Sequence, residues 1–248
     1  MIVSKEPRPT ELHFKCGPVG VLLIHGFTGS TNEMSTISNY FHQQGLTVLA
    51  PLLPGHGTTP EDLNTKRWQD WTRHVEESLV RLSAECQRVF VAGLSLGALL
   101  SLYLSANHDS VQGVVAYSPP LPLANARSYL FPLKYLLPSL PKPKDYFANP
   151  EAEALLWNYS VAPLRAYYEL LRFIRVVRKE MHKIRCPILV IHSTKDSIIH
   201  PSSAQNVLGG VSSTDRDLLT LQKSGHVLTV DAEWTQVADR TLDFIKKH

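Results

Sequence analysis

Ser95, Asp196 and His226 are of the three residue types that nucleophilic catalysis requires, although they lie far apart in the chain. A serine hydroxyl is a weak nucleophile near neutral pH, so it needs a histidine base within hydrogen-bond reach and a third group that orients the base. Each of the three residues follows a short stretch of β-forming residues. Because an open parallel sheet holds its site outside the carboxyl ends of its strands, we expect the three side chains to meet at one sheet edge.

Ser95 stands in the centre of the pentapeptide Gly-Leu-Ser-Leu-Gly, residues 93–97. The β-formers at 89–92 lead into it, and the apolar stretch 96–106 after it is typical of a central helix buried against a sheet. This order predicts a nucleophile elbow, in which the two glycines leave room where a Cβ would collide with a neighbouring strand or helix. The pattern is also compatible with a turn that serves packing alone, so the prediction depends on the other two residues.

Asp196 and His226 each have an ordinary explanation when they are taken singly. Aspartate is common in turns, where it caps its own backbone, and a histidine in a loop is more often solvated than catalytic. The competing residues fit less well: His192 lies inside a predicted strand, His200 follows no strand, and Asp231 is placed to cap the last helix. The three strand ends together therefore carry the prediction of a serine nucleophile, an aspartate acid and a histidine base.

Two backbone N–H groups are placed to stabilise the oxyanion that forms when a serine attacks an ester. Each such donor contributes about two to three powers of ten in rate. Leu96 is the first residue of the predicted central helix and supplies one N–H. Phe27 supplies the other, because it lies in the glycine-containing loop after the first buried strand. The nearby His25 is predicted to brace this loop by hydrogen bonds and to have no catalytic role.

The order of strands and helices predicts an α/β fold with an open, mostly parallel central sheet flanked by helices. Apolar or β-branched runs predict strands, and apolar residues at spacings of three and four predict amphipathic helices. Strands are predicted at 19–24, 46–50, 89–92, 111–117, 187–192 and 217–221. Helices are predicted from the polar residues 30–32 to about residue 43, and at 68–86, 96–106, 202–208 and 232–246.

The segment 119–183 differs from the rest of the chain, because nine of the 17 prolines fall within it together with several aromatic residues. It is too apolar for a disordered linker. We therefore predict one domain in which residues 1–118 and 184–248 form the core and 119–183 form an inserted cap. The last helix of the cap, 164–179, has one apolar and one arginine-rich face, for which we favour a solvated surface over a membrane contact.

The overall composition limits the class of protein. The chain has 248 residues, enough for one large α/β domain with a substantial core. Hydrophobic residues make up 44% and charged residues 19%, and a formal net charge of +3 is too small to indicate a nucleic-acid partner. The first residues lack the apolar stretch of a signal peptide, and no run approaches the about 18 apolar residues of a membrane span. We expect a cytoplasmic protein without an integral membrane segment.

The three cysteines are Cys16, Cys86 and Cys186. Their odd number and wide spacing give no disulfide framework and no zinc motif, so buried free thiols are predicted. The chemistry expected of Ser95, Asp196 and His226 requires no metal and no cofactor.

Five short motifs follow one another along the chain: Leu-Ile-His-Gly-Phe-Thr-Gly (23–29), Pro-Gly-His-Gly (54–57), Gly-Leu-Ser-Leu-Gly (93–97), Ser-Thr-Lys-Asp (193–196) and Ser-Gly-His (224–226). Together they resemble the α/β-hydrolase superfamily, and most closely its bacterial carboxylesterases and thermostable monoacylglycerol lipases. The resemblance extends over almost the whole chain outside the predicted cap. It implies an α/β-hydrolase fold and an enzyme that acts without a metal or cofactor.

The resemblance also implies a role for five residues: Ser95 is the nucleophile, Asp196 the acid, His226 the base, and Phe27 and Leu96 the oxyanion donors. The implied reaction is the hydrolysis of a carboxylic ester through an acyl-enzyme. The apolar residues of the cap predict a small-molecule ester with a short to medium acyl group, or a monoacylglycerol. Because the base must be neutral, activity should rise with pH through roughly 6 to 8.

Two alternatives stay open at the level of the sequence. The same residues on the same fold could cleave a C–C bond, a lactone or an amide, or run a cofactor-free perhydrolase reaction, because chemistry does not follow from fold. A different class of protein is a receptor that holds a small molecule under the cap.

Overall fold

The computed structural model of the chain describes residues 8–121, 137–142 and 145–248. In chain order the strands within these residues are β1 (Leu12–Phe14), β2 (Val19–Ile24), β3 (Thr47–Ala50), β4 (Arg88–Leu94), β5 (Val111–Tyr117), β6 (Ser139–Pro141), β7 (Val161–Pro163), β8 (Ile188–Ser193) and β9 (Arg216–Leu221). The main sheet has the order β1-β3-β2-β4-β5-β8-β9. β1 is antiparallel to β3, whereas the other neighbouring strands run parallel. The predicted α/β fold with a mostly parallel sheet is confirmed.

Helices cover both faces of the main sheet. They are α1 (Asn32–Gln43), α2 (Pro60–Leu63), α3 (Trp68–Glu85), α4 (Leu96–Asn107), α5 (Pro150–Ala154), α6 (Leu164–Glu180), α7 (Ser203–Gly210) and α8 (Trp234–Lys247). In β2, Leu22 and Ile24 pack in one hydrophobic cluster with α3, α4 and α6, while Val21 and Leu23 pack in another with α1 and α8. Because β2 is covered on both faces, it needs no polar side, which explains its continuous apolar run.

α6 packs into the same hydrophobic cluster as α4. The ring of Phe173 is fully buried and stacks on Trp68, with 5.6 Å between the ring centroids, and Tyr103 of α4 lies 5.7 Å from it. The arginine-rich face of the helix is on the surface, as predicted: its exposed residues are Arg165, Arg172, Arg175, Arg178 and Lys179. Within the described parts of the chain, no helix is both long enough and apolar enough to span a bilayer.

Two sequence predictions about individual residues are corrected by the structure. α8 begins at Trp234 with Glu233 at the N-cap, so the prediction that Asp231 caps this helix is wrong. The Asp231 carboxylate instead accepts hydrogen bonds from backbone N–H groups of two loops. The prediction of buried thiols holds for Cys86 but is wrong for Cys16, which is exposed on the surface, and Cys186 is only half-buried.

Candidate active site

Ser95 lies at the sharp turn between β4 and α4 and has φ +55° and ψ −110°. A positive φ is uncommon for a residue with a side chain and costs on the order of 1–3 kcal/mol, so surrounding contacts must hold it. One such contact is the hydrogen bond from the Ser95 N–H to the Tyr117 carbonyl at the end of β5, 2.9 Å long. The predicted elbow is therefore present, with its serine in a strained backbone conformation.

The two glycines of the elbow are required by close backbone approaches. A Cβ added at Gly93 would lie 2.3 Å from the Gly97 carbonyl group, and a Cβ at Gly97 would lie 1.9 Å from the Ile24 carbonyl oxygen. Real Cβ atoms do not approach other atoms so closely, so β4, the start of α4 and the end of β2 touch here without side chains between them. The predicted reason for glycine at both positions is confirmed.

Asp196 and His226 form a hydrogen-bonded pair in the loops after β8 and β9. The Nδ1 of His226 lies 2.8 Å from Oδ2 of Asp196, and the two side chains are 9% and 2% exposed. The other carboxylate oxygen, Oδ1, accepts the N–H groups of Ile198 and Ile199, each at 2.9 Å. Because an ionised carboxylate only accepts, Nδ1 of His226 carries the proton, and Nε2 is left with its lone pair.

The two members of this pair shift each other's pKa in opposite directions. Burial alone would lower the pKa of His226, but the charge of Asp196 and its hydrogen bond outweigh burial and raise that pKa above 6.5. Burial would raise the pKa of Asp196, but His226 and the two backbone N–H groups lower it below 3.8. Asp196 therefore stays ionised, and it stabilises the protonated form of His226.

Ser118 connects the end of β5 to β8 and to the loop that carries His226. It follows β5 directly, its N–H donates to the Ile191 carbonyl of β8 at 2.8 Å, and its Oγ donates to the His226 carbonyl at 3.2 Å. Since β4, β5, β8 and β9 are neighbouring parallel strands, the loops after them lie at one edge of the sheet. The structure thus brings Ser95, Asp196 and His226 to the same carboxyl edge, as the sequence predicts.

The peptide between Gly26 and Phe27 is held by its carbonyl group. That oxygen receives hydrogen bonds from Nδ1 of His25 at 2.9 Å and from the Gly29 N–H at 3.3 Å. In a trans peptide the N–H points opposite to the carbonyl, so these bonds direct the Phe27 N–H away from them. Among the residues that the structure describes, neither this N–H nor that of Leu96 at the start of α4 donates to a protein acceptor.

His25 has the bracing role that the sequence predicts. Its Nε2 accepts the Leu53 N–H at 3.1 Å, which leaves Nδ1 as the protonated nitrogen that donates to the Gly26 carbonyl. This network requires the neutral ring. Burial lowers the pKa of His25 to about 4, so the neutral form prevails near neutral pH.

Tyr159, which sequence reasoning missed, ties the segment between β5 and β8 to the loop that holds Phe27. Its backbone N–H donates to the Thr28 carbonyl at 3.0 Å, while its hydroxyl donates to the Gly55 carbonyl at 2.8 Å and accepts the Thr58 N–H at 3.0 Å. From the same segment, Nζ of Lys142 donates to Oγ1 of Thr28 at 2.8 Å. These partners are distant in sequence, so no local pattern indicates them.

A second anchor joins the same segment to the histidine loop. The fully buried carboxylate of Asp231 accepts the N–H groups of Gly225 at 2.7 Å, Asn149 at 2.7 Å and Ala148 at 3.1 Å. A Cβ on Gly225 would lie 1.7 Å from the Tyr146 carbonyl oxygen, so the two backbones are in direct contact. His226, one residue further, is thereby held between the core and this segment.

Glu33 is a further residue that sequence reasoning missed. Its side chain is buried under the loop that holds Phe27, where Oε2 accepts the Gly26 N–H at 2.7 Å. Burial raises the pKa of Glu33 to about 7, although the Gly26 N–H and the charges of Lys142 and His226 oppose the rise. An acidic residue in the first turn of a helix directly after the loop is the signal that could have indicated it. Within residues 8–121, 137–142 and 145–248, no cluster of His, Cys, Asp and Glu could hold a metal ion.

The parallel sheet, the strained serine at the end of a central strand, and the histidine and aspartate at later strand ends define an α/β-hydrolase. The family model described as serine aminopeptidase, S33, matches residues 19–233, and the chain belongs to this family.

Three relatives show how similar known members are. The chain is 33% identical to a thermostable monoacylglycerol lipase of Bacillus sp. (strain H-257) over 94% of this chain and 92% of that one. It is 30% identical to a carboxylesterase of Bacillus subtilis (strain 168), covering 96% and 97%. A solved structure from work on LipS and LipT, two metagenome-derived lipolytic enzymes, superposes with a TM-score of 0.92 at 28% identity, covering 98% and 99%. The resemblance inferred from the five motifs is confirmed.

Proposed function

We propose that the chain cleaves carboxylic esters through an acyl-enzyme on Ser95. In this proposal His226 is the base, Asp196 the acid that orients it, and the N–H groups of Phe27 and Leu96 the oxyanion donors. The chain is a carboxylic ester hydrolase of the carboxylesterase and monoacylglycerol lipase type. The observation that carries the assignment is the 2.8 Å hydrogen bond between His226 and Asp196 at the sheet edge that also holds the elbow.

The proposed cycle uses each group in the protonation state that its surroundings favour. Nε2 of His226 takes the hydroxyl proton of Ser95 while the oxygen attacks the ester carbonyl, and the oxyanion accepts the two backbone N–H groups. The imidazolium then gives its proton to the departing alcohol. Water, activated by the same nitrogen, attacks the acyl-enzyme and releases the acid. Asp196 stays ionised throughout and stabilises the imidazolium in both steps.

The surroundings of Phe27 support an apolar acyl group. Its ring lies among aromatic side chains, with centroid distances of 6.1 Å to Trp71 and 6.3 Å to Tyr167. Apolar surroundings beside the proposed oxyanion donors favour an acyl chain over a charged group at that place. The substrate class proposed is therefore short- to medium-chain acyl esters or monoacylglycerols.

A substrate panel tests this proposal. The purified protein is assayed side by side on p-nitrophenyl esters from acetate to laurate, on monoacylglycerols of the same acyl lengths, and on an aminoacyl p-nitroanilide. We expect the highest kcat/KM on esters of short to medium acyl length and little cleavage of the anilide. Faster cleavage of the anilide would favour the amide chemistry that the family description names. A single acylation without release would favour a receptor.

The pH dependence of ester cleavage follows from the His226–Asp196 pair. His226 must be neutral to accept the serine proton, and its pKa is raised above 6.5, so kcat/KM should rise with pH and reach half of its plateau above pH 6.5. The measurement is kcat/KM on p-nitrophenyl butyrate from acid to mildly alkaline pH, with the exposed His200→Gln as a control that should leave the profile unchanged. A midpoint below pH 6.5 would contradict the proposed base.

Two further sequence predictions remain proposals. The division into a core of 1–118 and 184–248 and a cap of 119–183 is supported by the separate antiparallel pair of β6 and β7 within that segment. The cytoplasmic location remains a prediction from the composition of the first residues.

A further inference from the structure

The loop that carries Phe27 is folded around the side chain of Glu33. Besides accepting the Gly26 N–H at 2.7 Å, the carboxylate fills the space that a side chain at Gly29 would need, since a Cβ there would lie 1.9 Å from Oε1. Gly26 is in similarly close contact, because its Cβ would lie 3.1 Å from Oε2. The backbone of residues 26–29 therefore packs directly on the Glu33 carboxylate.

Glu33 holds one side of the peptide unit that precedes the proposed donor. The Gly26 N–H is bound by Glu33, and the Gly26 carbonyl is bound by His25 and by the Gly29 N–H. With both polar groups of Gly26 held, the two peptide planes around it are fixed, and so is the direction of the Phe27 N–H. An oxyanion donor is effective when it is aimed before the reaction begins, so this restraint bears directly on catalysis.

The carboxylate also lies within the electrostatic environment of the proposed base. Lys142 and Asp145 face Glu33 from the segment between β6 and α5, and His226 faces it from the loop after β9. His226 in turn is influenced by Asp196, Asp145 and Glu33, all three of which favour its protonated form. A hydrogen bond joins the same two regions, because Oγ1 of Thr229 donates to the Glu33 backbone carbonyl at 2.6 Å.

We propose that Glu33 is a positioning residue of the hydrolytic site: its side chain aims the Phe27 N–H by holding Gly26, and in its ionised form it stabilises the imidazolium of His226. The inference rests on the proposed function for the roles of Phe27 and His226. Glu33 itself forms no bond to substrate and transfers no proton in the cycle. It links the oxyanion side of the site to the histidine side through one buried group.

Two substitutions separate the two contributions of Glu33. Glu33→Gln keeps an acceptor for the Gly26 N–H and removes the charge, whereas Glu33→Ala removes both. The matched control is Glu61→Gln, an exposed glutamate in the first turn of α2. Thermal unfolding of each variant shows whether it is folded before the kinetics are compared. The ester kinetics are measured on p-nitrophenyl butyrate from acid to mildly alkaline pH.

We expect Glu33→Gln to move the acid limb of kcat/KM to lower pH by on the order of 0.3 unit, because the negative charge opposite the imidazolium is lost. The shift is small because the pKa of Glu33 is about 7, so only part of the molecules carry this charge along the acid limb. Glu33→Ala should lower kcat by about a hundredfold, the effect of a misdirected oxyanion donor, with KM within about twofold of the wild type. Glu61→Gln should match the wild type in both. A merely structural role would lower the unfolding temperature without moving the pH profile.

A titration of the His226 ring by NMR makes the result independent of ester turnover. The pKa of His226 should be lower in Glu33→Gln than in the wild type, and unchanged in Glu61→Gln. If the pKa falls but the wild type cleaves no ester, the proposed function fails and the electrostatic role of Glu33 stands. If folded Glu33→Gln leaves both the pKa and the acid limb unchanged, or folded Glu33→Ala keeps kcat within twofold, the positioning role is overturned.

Discussion

Ser95→Ala should abolish ester turnover to well below one part in about a thousand of the wild-type rate, because removing a triad nucleophile costs on the order of a millionfold in kcat in a serine hydrolase. The hydroxyl is the group that would form the covalent bond to the acyl carbon, and no neighbouring group replaces it. The backbone of the elbow is retained, since alanine keeps a Cβ at the strained φ of +55°. The unfolding temperature should therefore stay close to that of the wild type.

The matched control for this variant is Ser105→Ala, on the helix that follows Ser95 and partly buried, where the hydroxyl donates to the Ser101 carbonyl at 2.9 Å. It loses a serine hydroxyl but should keep full ester turnover. Covalent labelling adds a second measurement: a fluorophosphonate adduct should map to Ser95 by peptide mass spectrometry. Residual turnover above about a thousandth in Ser95→Ala, or an adduct on any other residue, would remove Ser95 from the proposed role.

Asp196→Asn should fold normally and lower kcat by about ten-thousandfold, because the base would be held in the wrong tautomer. The structure shows why the amide cannot adapt. Oδ1 is fixed by the N–H groups of Ile198 and Ile199, so the amide oxygen must occupy that position and the NH₂ must face His226. Nδ1 then becomes an acceptor, so the single ring proton lies on Nε2. A protonated Nε2 cannot accept the proton of Ser95.

The comparison for Asp196→Asn is Asp109→Asn, an exposed aspartate in the turn after α4, which should leave kcat unchanged. Circular dichroism and thermal unfolding check that both variants are folded. The ring tautomer of His226 can be read from its ¹⁵N chemical shifts, which should report protonation at Nε2 in Asp196→Asn. Near-normal turnover in this variant would transfer the role of the acid to another carboxylate.

The positions of Ser95, Asp196 and His226 could be predicted because they depend on two local rules. A tight turn between a buried strand and a helix leaves a pattern of glycines around Ser95, and the parallel arrangement of strands brings later strand ends to the same edge. Asp196 and His226 needed only a correct assignment of the strands before them. The bracing role of His25 followed from its place in the loop after the first buried strand.

The supporting contacts could not be predicted, because they join residues that are remote in the chain or depend on the burial of a side chain. Asp231 looked like a helix cap from its neighbours, yet its carboxylate binds the N–H of Ala148, 83 positions away. Glu33 is only seven residues from Gly26, but its place in a first helical turn does not by itself show that its side chain is buried under the loop that holds Phe27. Burial and long-range backbone contacts decided both cases, and neither leaves a periodic pattern in the sequence.

The two anchors of the segment after β5 bear on how enzymes of this type can be recombined. In a chimera that takes residues 119–183 from a relative, the incoming backbone would have to reproduce the bonds to Thr28 and Asp231. An exchange of this segment therefore also changes the contacts that hold the loops after β2 and β9. A functional exchange would therefore have to transfer residues 119–183 together with the loops after β2 and β9.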